Sequence, residues 1–320
     1  MNTTGRIFRV SIYGESHGEA IGVVIDGCPP GIPLSKENFY PDLGRRKGGA
    51  RGTTKRREED EPVIISGVFN GHTTGSPLHV MFENKDIRSA DYNPDIPRPG
   101  HADHVAELKY KGYQDYRGGG HFSGRLTLGL VAAGIIAKKI IPDVLIRANL
   151  IEAGGQKRTE EAVNQAIEEK DSIGGIIECR AERVPAGLGE PFYDSIESQI
   201  SHLCFAIPGI RGIEFGSGFK AARMKGSEHN DIILPDGSTK TNHAGGINGG
   251  ITNGNELIYR VAVKPTASIE MLQSTANMST GHMEKLEIKG RHDVCFALRV
   301  PVILESVTAI VLADNLLLHD

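Results

Sequence analysis

The sequence predicts an α+β fold in which helices pack between antiparallel sheets. Strand-like runs fall in groups separated by glycine turns, with 7–13, 21–25, 63–68 and 78–82 early and 175–178 and 257–263 late. The run 123–141 is apolar on nearly every face, which only a helix enclosed by other layers can satisfy. Glycine supplies 40 of 320 residues with no collagen-like period, so the chain is rich in tight turns.

Taken in order, 7–13 and 21–25 are strands separated by Gly14-Glu15-Ser16-His17-Gly18. Pro29-Pro30-Gly31 ends the second, and a short helix starts from Ser35. The segment 44–61 is polar and charged. Strands 63–68 and 78–82 join through Gly71-His72-Thr73-Thr74-Gly75, and an irregular stretch from 84 to 101 follows. The buried helix closes with Lys138 and Lys139 before Pro142. Amphipathic helices are expected at 159–170 and 194–206, the second opening with Asp194 and Glu197 at capping-box spacing. Residues 223–256 are polar and glycine-rich, 257–263 is a strand, and 300–318 is a terminal helix. A weak repeat links Gly22-Val23-Val24-Ile25 and Pro30-Gly31-Ile32 with Gly175-Ile176-Ile177-Glu178 and Pro185-Ala186-Gly187-Leu188. One domain over 1–320 is expected, with two related strand–helix halves at about 1–150 and 151–320.

Composition narrows the function classes. Net charge is −4, so basic clusters are local features of a mildly acidic body. No apolar run reads as spanning length and the N-terminus lacks a signal-peptide shape, so no membrane role is expected. Cys28, Cys179, Cys204 and Cys295 lie far apart without a CxxC pair, which argues against a disulfide framework or structural zinc and fits a reducing cytoplasm.

The strongest chemical signal is Arg117-Gly118-Gly119-Gly120-His121-Phe122-Ser123-Gly124-Arg125, a glycine loop running into the buried helix. Glycines admit close backbone approach, and free N–H groups at a helix start favour an anion. Gly14-Glu15-Ser16-His17-Gly18 matches a serine nucleophile elbow, but a strand rather than a helix follows it. His17 on a glycine turn is the better candidate, as acid, base or ligand contact. His101-Ala102-Asp103-His104 resembles part of a metallohydrolase signature, with Pro99 at its incomplete leading position. The run Arg45, Arg46, Lys47, Arg51, Lys55, Arg56, Arg57 lacks aromatics and precedes an acidic block, which suits a small polyanion better than nucleic acid. Arg46 and Arg51 lead that set. Lys264-Pro265-Thr266-Ala267-Ser268 offers a lysine and hydroxyls on a rigid turn, and Asp293 stands between basic neighbours before a helix.

These motifs occur in a fixed order with Asn84-Lys85-Asp86-Ile87-Arg88-Ser89-Ala90-Asp91-Tyr92, Arg98-Pro99-Gly100-His101-Ala102-Asp103, Asp171-Ser172-Ile173-Gly174-Gly175, Asn242-His243-Ala244-Gly245-Gly246-Ile247 and Gly290-Arg291-His292-Asp293. The whole set resembles the chorismate synthase family from end to end. The resemblance implies a β-α-β sandwich, a helical layer between two antiparallel sheets, assembled as a homotetramer. It implies a carbon–oxygen lyase at the end of the shikimate pathway to aromatic amino acids. The reaction would be the anti-1,4-elimination of phosphate from 5-enolpyruvylshikimate 3-phosphate, giving chorismate with reduced FMN and no net redox change.

By the same resemblance His17, His101 and Asp293 are catalytic. His101 would protonate the departing phosphate, His17 would stabilise anionic reduced flavin, and Asp293 would help remove the ring hydrogen. FMN contacts would fall on His121, Phe122, Ser123, His243, Ala244, Gly249, Lys264, Pro265, Thr266, Ala267, Ser268 and Arg291. Arg46, Arg51, Arg98, Arg117 and Arg125 are the substrate-binding candidates, and some members place NADPH near the first two. NADPH enters only as a source of reduction, with an external flavin reductase as the other source. The sequence departs from the family at His121-Phe122-Ser123-Gly124-Arg125, at Arg46-Lys47-Gly48-Gly49, at Val294 and in a shortened segment around 154–159. Other readings are a flavin- or phosphosugar-binding protein without catalysis, a metal-dependent phosphatase on His101-Ala102-Asp103-His104, and a nucleic-acid module on 45–57.

Overall fold

The computed structural model describes residues 2–87, 92–288 and 292–319. The first half supplies strands β1 (Thr3–Thr4), β2 (Arg9–Gly14), β3 (Ala20–Asp26) and β4 (Val63–Ser66), the hairpin β5 (Val68–Phe69) and β6 (His72–Thr73), and β7 (Leu78–Glu83). The second half adds β8 (Leu145–Ala153), β9 (Gly175–Glu182), β10 (Ile210–Phe215), the hairpin β11 (Ile247–Asn248) and β12 (Ile251–Thr252), β13 (Leu257–Val263), and the pair β14 (Gln273–Ala276) and β15 (Met283–Leu286). Helices are α1 (Tyr40–Arg46), α2 (Asp103–Tyr110), α3 (Thr127–Ile140), α4 (Thr159–Glu168), α5 (Ile196–Ala206), α6 (Gly226–His229) and α7 (Pro301–His319).

Two antiparallel sheets organise the molecule. One has the order β1-β2-β3-β7-β4, with Ile12 opposite Val23 and Val23 opposite Val80. The other has the order β10-β13-β9-β8, with Tyr259 opposite Cys179 and Cys179 opposite Ala148. Alternate residues point inward, so Ile21, Val23 and Ile25 of β3 are buried, as are Ile177, Cys179 and Ala181 of β9. Helix α3 lies against β2 and β3, α7 lies against β8 and β9, and α3 and α7 pack on each other. A continuous hydrophobic cluster joins both sheets through these helices.

Two glycines let α3 sit this closely. A Cβ at Gly129 would stand 3.3 Å from the Gly22 carbonyl oxygen, and one at Gly134 would stand 2.2 Å from Ser306 Cβ of α7. Helix α7 is long and apolar enough to cross a membrane by length and composition, contrary to the sequence expectation. Its first fifteen residues after Pro301 are almost all buried in this core, so the composition reflects packing between layers.

Several boundaries differ from the sequence reading. Strand β2 starts at Arg9 because the backbone N–H groups of Arg6, Ile7 and Phe8 donate to the buried Asp314 carboxylate. The cap of α5 is Ser195, whose hydroxyl accepts from Ser198 N at 3.1 Å, rather than Asp194. Strands β8 and β10 escaped prediction because bulges and inserted Arg, Asn and Gly residues break their alternation. Helix α2 escaped it because it buries only Ala106 and exposes Val105 and Leu108.

Candidate active site

A cavity of about 1230 Å³ opens where the first sheet, α3 and the Lys264 end of β13 meet. Its wall includes Gly118, the first of three consecutive positive-φ glycines, Gly118, Gly119 and Gly120, at φ of 61°, 84° and 51°. The glycine loop is not the helix start. A short 3-10 turn, Gly124–Leu126, intervenes before α3. Each glycine is required by what it touches. A Cβ at Gly118 would lie 2.0 Å from the Cε1 and Nδ1 atoms of His17. One at Gly119 would lie 3.0 Å from Cε1 and 3.2 Å from Nε2 of His101, and one at Gly120 would strike the Asp115 carbonyl. Two imidazoles therefore pack on adjacent residues, whose Cα atoms are about 3.8 Å apart.

His17 is buried beside Tyr92, with ring centroids 5.5 Å apart. Burial pushes its pKa below the ordinary imidazole value, the Arg117 backbone and Asp115 oppose this, and the charges of Arg56 and Arg117 reinforce it. His101 Nδ1 donates to Asp103 Oδ1 at 2.5 Å. The Asp103 carboxylate also accepts from Arg98, from Nε and Nη2 at 2.7 Å each and from the backbone N at 3.0 Å. Burial alone would raise the Asp103 pKa, but Arg98 and His101 hold it well below the usual carboxylate range.

A cluster of cations and carboxylates forms another wall. Arg46, 2% exposed, donates from Nη2 to Asp60 Oδ2 at 2.8 Å, while its Nε and Nη1 have no partner among the described residues. Burial, with help from Arg299 and Arg125, brings its pKa down to about 10 against the opposing pull of Asp60. Arg125 donates to Asp60 Oδ1 at 2.8 Å and to Asn84 Oδ1 at 2.6 Å. Asp293 is paired with Arg299 Nη1 at 3.0 Å and accepts from Thr54 N at 2.8 Å. Arg56 donates to Ser16 Oγ and Ser16 O, both at 3.0 Å, so Ser16 is a held spacer rather than a free nucleophile.

Comparison with known proteins decides what this arrangement belongs to. The family model described as chorismate synthase matches residues 8–317. A chorismate synthase of Chitinophaga pinensis is 61% identical over 324 residues, covering 100% of this chain and 98% of that protein. One of Pyrococcus abyssi is 45% identical, covering 98% and 97%. A crystal structure of chorismate synthase superposes with a TM-score of 0.76 at 27% identity, over 99% of this chain and 93% of that one.

The chain belongs to the chorismate synthase family. Its activity is accordingly that of a carbon–oxygen lyase, as the ordered motifs implied.

The cavity gathers most residues that the family resemblance singled out. His17, Arg46, Arg98, His101, His121, Phe122, Ser123, Arg125, Asp293 and the turn from Lys264 to Ser268 all line it. Lys264 Nζ donates to Gly100 O at 2.6 Å, which ties this turn to the His101 loop. His121 is held by Gly14 O at 2.9 Å and Asn2 Oδ1 at 3.1 Å.

Other residues lie elsewhere. Arg51 is exposed and outside the lining, and Arg117 closes a fork onto Asp115 at 2.8 Å instead of facing the cavity. His243, Ala244 and Gly249 also lie outside it. Ser217 N donates to His243 O and Gly216 N to Ile258 O, which places this loop beside the Leu257 end of β13. The cavity is at the Val263 end, six residues and about 20 Å away along the strand. Arg291 falls outside the described residues. Among those described, no group of three or more His, Cys, Asp or Glu side chains is placed to hold a metal.

Sequence reasoning named Arg56 only within the basic run, and it did not single out Asp60 or Arg299 as site residues. Asp60 sat inside an acidic block that served only to argue against a nucleic-acid patch. Arg299, two residues before an apolar helix and six after Asp293, carried a signal: a cation entering a core needs a carboxylate nearby.

Proposed function

We propose that the protein converts 5-enolpyruvylshikimate 3-phosphate to chorismate and phosphate in this cavity, with reduced FMN bound beside the substrate. The observation that carries the reading is the pair Gly118–Gly119, which seats His17 and His101 side by side among buried guanidinium groups. The cavity, about 1230 Å³, exceeds the roughly 300–1,000 Å³ of a single small-molecule site, which supports two ligands together. Its donors fit anionic partners: two Arg46 nitrogens, Nε and Nη1, and the buried Thr266 hydroxyl have no partner among the described residues and call for acceptors. Val105, Phe122, Phe205 and Pro208 add an apolar wall suited to a flat ring system.

Reduced FMN, which Ser123 and the Lys264–Ser268 turn would hold, would lend electron density to C–O cleavage and recover it, leaving no net redox change. The chain's own residues bind and move protons. His101 carries a proton for the departing phosphate oxygen. His17, kept neutral by burial in the free protein, gains a proton as anions arrive and opposes their charge. Asp293, fixed by Arg299, is the carboxylate for the ring hydrogen. Arg46, with Arg125 behind it across Asp60, provides the positive field for phosphate and carboxylates.

The same reading includes one domain, a helical layer of α3 and α7 between the two sheets, with two related halves. It includes a cytoplasmic enzyme using FMN reduced by NADPH or by a separate reductase. Exposed Phe192, Tyr193 and Phe219, at 88%, 93% and 80%, support an assembled state, for which a homotetramer is the form proposed.

The test is turnover of His17→Ala and His101→Ala with FMN binding followed by difference spectra. Loss of roughly 10²–10⁴-fold in kcat with FMN binding retained is expected. Folded, FMN-competent variants with full turnover would overturn the assignment.

A further inference from the structure

We propose that Asp103 is a positioning residue that fixes the ring orientation and tautomer of His101, so that Nε2 is the atom that gives up the proton. The inference rests on the reading of His101 as proton donor and adds the group that makes it one.

A neutral imidazole has one N–H, and the hydrogen bond at one nitrogen decides which nitrogen carries it. At His101 that bond is Nδ1–H to Asp103 Oδ1, at 2.5 Å. Nε2 is then the nitrogen that lies beside Gly119, 3.2 Å from where a Cβ would stand, and His101 itself lines the cavity. Arg98 Nη2 also approaches His101 Nδ1, at 3.0 Å. A guanidinium can only donate, as can Nδ1–H, so this approach is a side contact of the Arg98 bond to Asp103 Oδ1 at 2.7 Å.

The carboxylate itself cannot swing away. Three Arg98 N–H groups hold its two oxygens, and Arg98 is braced by Ser268 Oγ at 3.3 Å and by the Tyr92 ring 5.3 Å from its Cζ. Asp103 opens α2, where a negative charge is favoured by the helix dipole. Six consecutive residues, Arg98 to Asp103, thus build the whole clamp, which accounts for their contiguity in sequence. The cycle balances simply. Imidazolium Nε2–H passes its proton to the phosphate oxygen as the C–O bond breaks, and Asp103 stabilises the imidazolium beforehand without itself being protonated.

The experiment compares Asp103→Asn, Asp103→Glu, His101→Gln and the double variant Asp103→Asn/His101→Gln, with ¹⁵N NMR of wild-type His101. The wild type should show the Nδ1–H tautomer. Asp103→Asn should lower kcat by about 10–100-fold with KM little changed. Asp103→Glu should recover part of the rate. Adding Asp103→Asn to His101→Gln should cost nothing further, since Asp103 acts only through His101.

An Nε2–H tautomer in the wild type, or fully additive losses, would overturn the proposal, and the NMR result stands even if a variant fails to fold. Full turnover in His101→Gln would instead overturn the reading of His101 as the acid, and is distinguishable from failure of the Asp103 role alone.

Discussion

At the scale of single residues, the glycine triplet shows how backbone freedom becomes chemistry. Gly118 at φ 61° packs on His17 with no room for a methyl group. Gly118→Ala should therefore displace His17 as well as strain the backbone by about 1–2 kcal/mol. Steady-state kinetics should show a loss of at least tenfold in kcat with only a modest fall in Tm. Wild-type kcat in Gly118→Ala would mean that the His17 position is not set by this contact. His17, His101 and Asp293 were legible in the sequence because each sits in a short motif whose order matches a family. Asp103 was visible only as a suspected metal ligand, since spacing cannot distinguish a carboxylate that binds a metal from one that orients a ring. Arg51 and Arg117 misled for the same reason: a basic motif does not reveal whether its guanidinium faces a cavity, solvent or a neighbouring Asp115.

At the scale of elements, α3 and α7 decide how close the two sheets come. Gly134→Ala gains about 1 kcal/mol of helix propensity. Against that, its Cβ would lie 2.2 Å from Ser306 Cβ and 2.5 Å from Ser306 Cα, so the backbones must separate. Overpacking of this kind costs about 1–3 kcal/mol, so net destabilisation is expected. Urea unfolding checks it, and an unchanged or raised midpoint would show that the crossing yields easily. Helix α3 was legible as a buried helix because its apolarity runs all round, which only enclosure by other elements satisfies. Strands β8 and β10 were not, because a bulge shifts the period-two signal by one residue midway.

At the scale of the molecule, the site couples catalysis to stability through buried charge. Burial would raise the Asp60 pKa, but Arg46 and Arg125 outweigh it and the pKa is lowered. Its folded value thus lies below the unfolded value of about 3.9. The stabilisation is complete above that pH and is lost as pH falls through the folded value. Asp103 acts in the same direction. Stability should therefore drop below about pH 4. Asp60→Asn should cost about 3–5 kcal/mol at neutral pH by leaving two arginines short of a counter-charge, with a shallower acid dependence. Urea midpoints against pH for the two proteins check this, and parallel curves would contradict it. The measurement that bears most directly on function is anaerobic incubation with 5-enolpyruvylshikimate 3-phosphate and either reduced or oxidised FMN, following chorismate and phosphate. Equal amounts of both products with reduced FMN alone are predicted. Phosphate release without flavin, or no chorismate despite bound reduced FMN, would contradict the account.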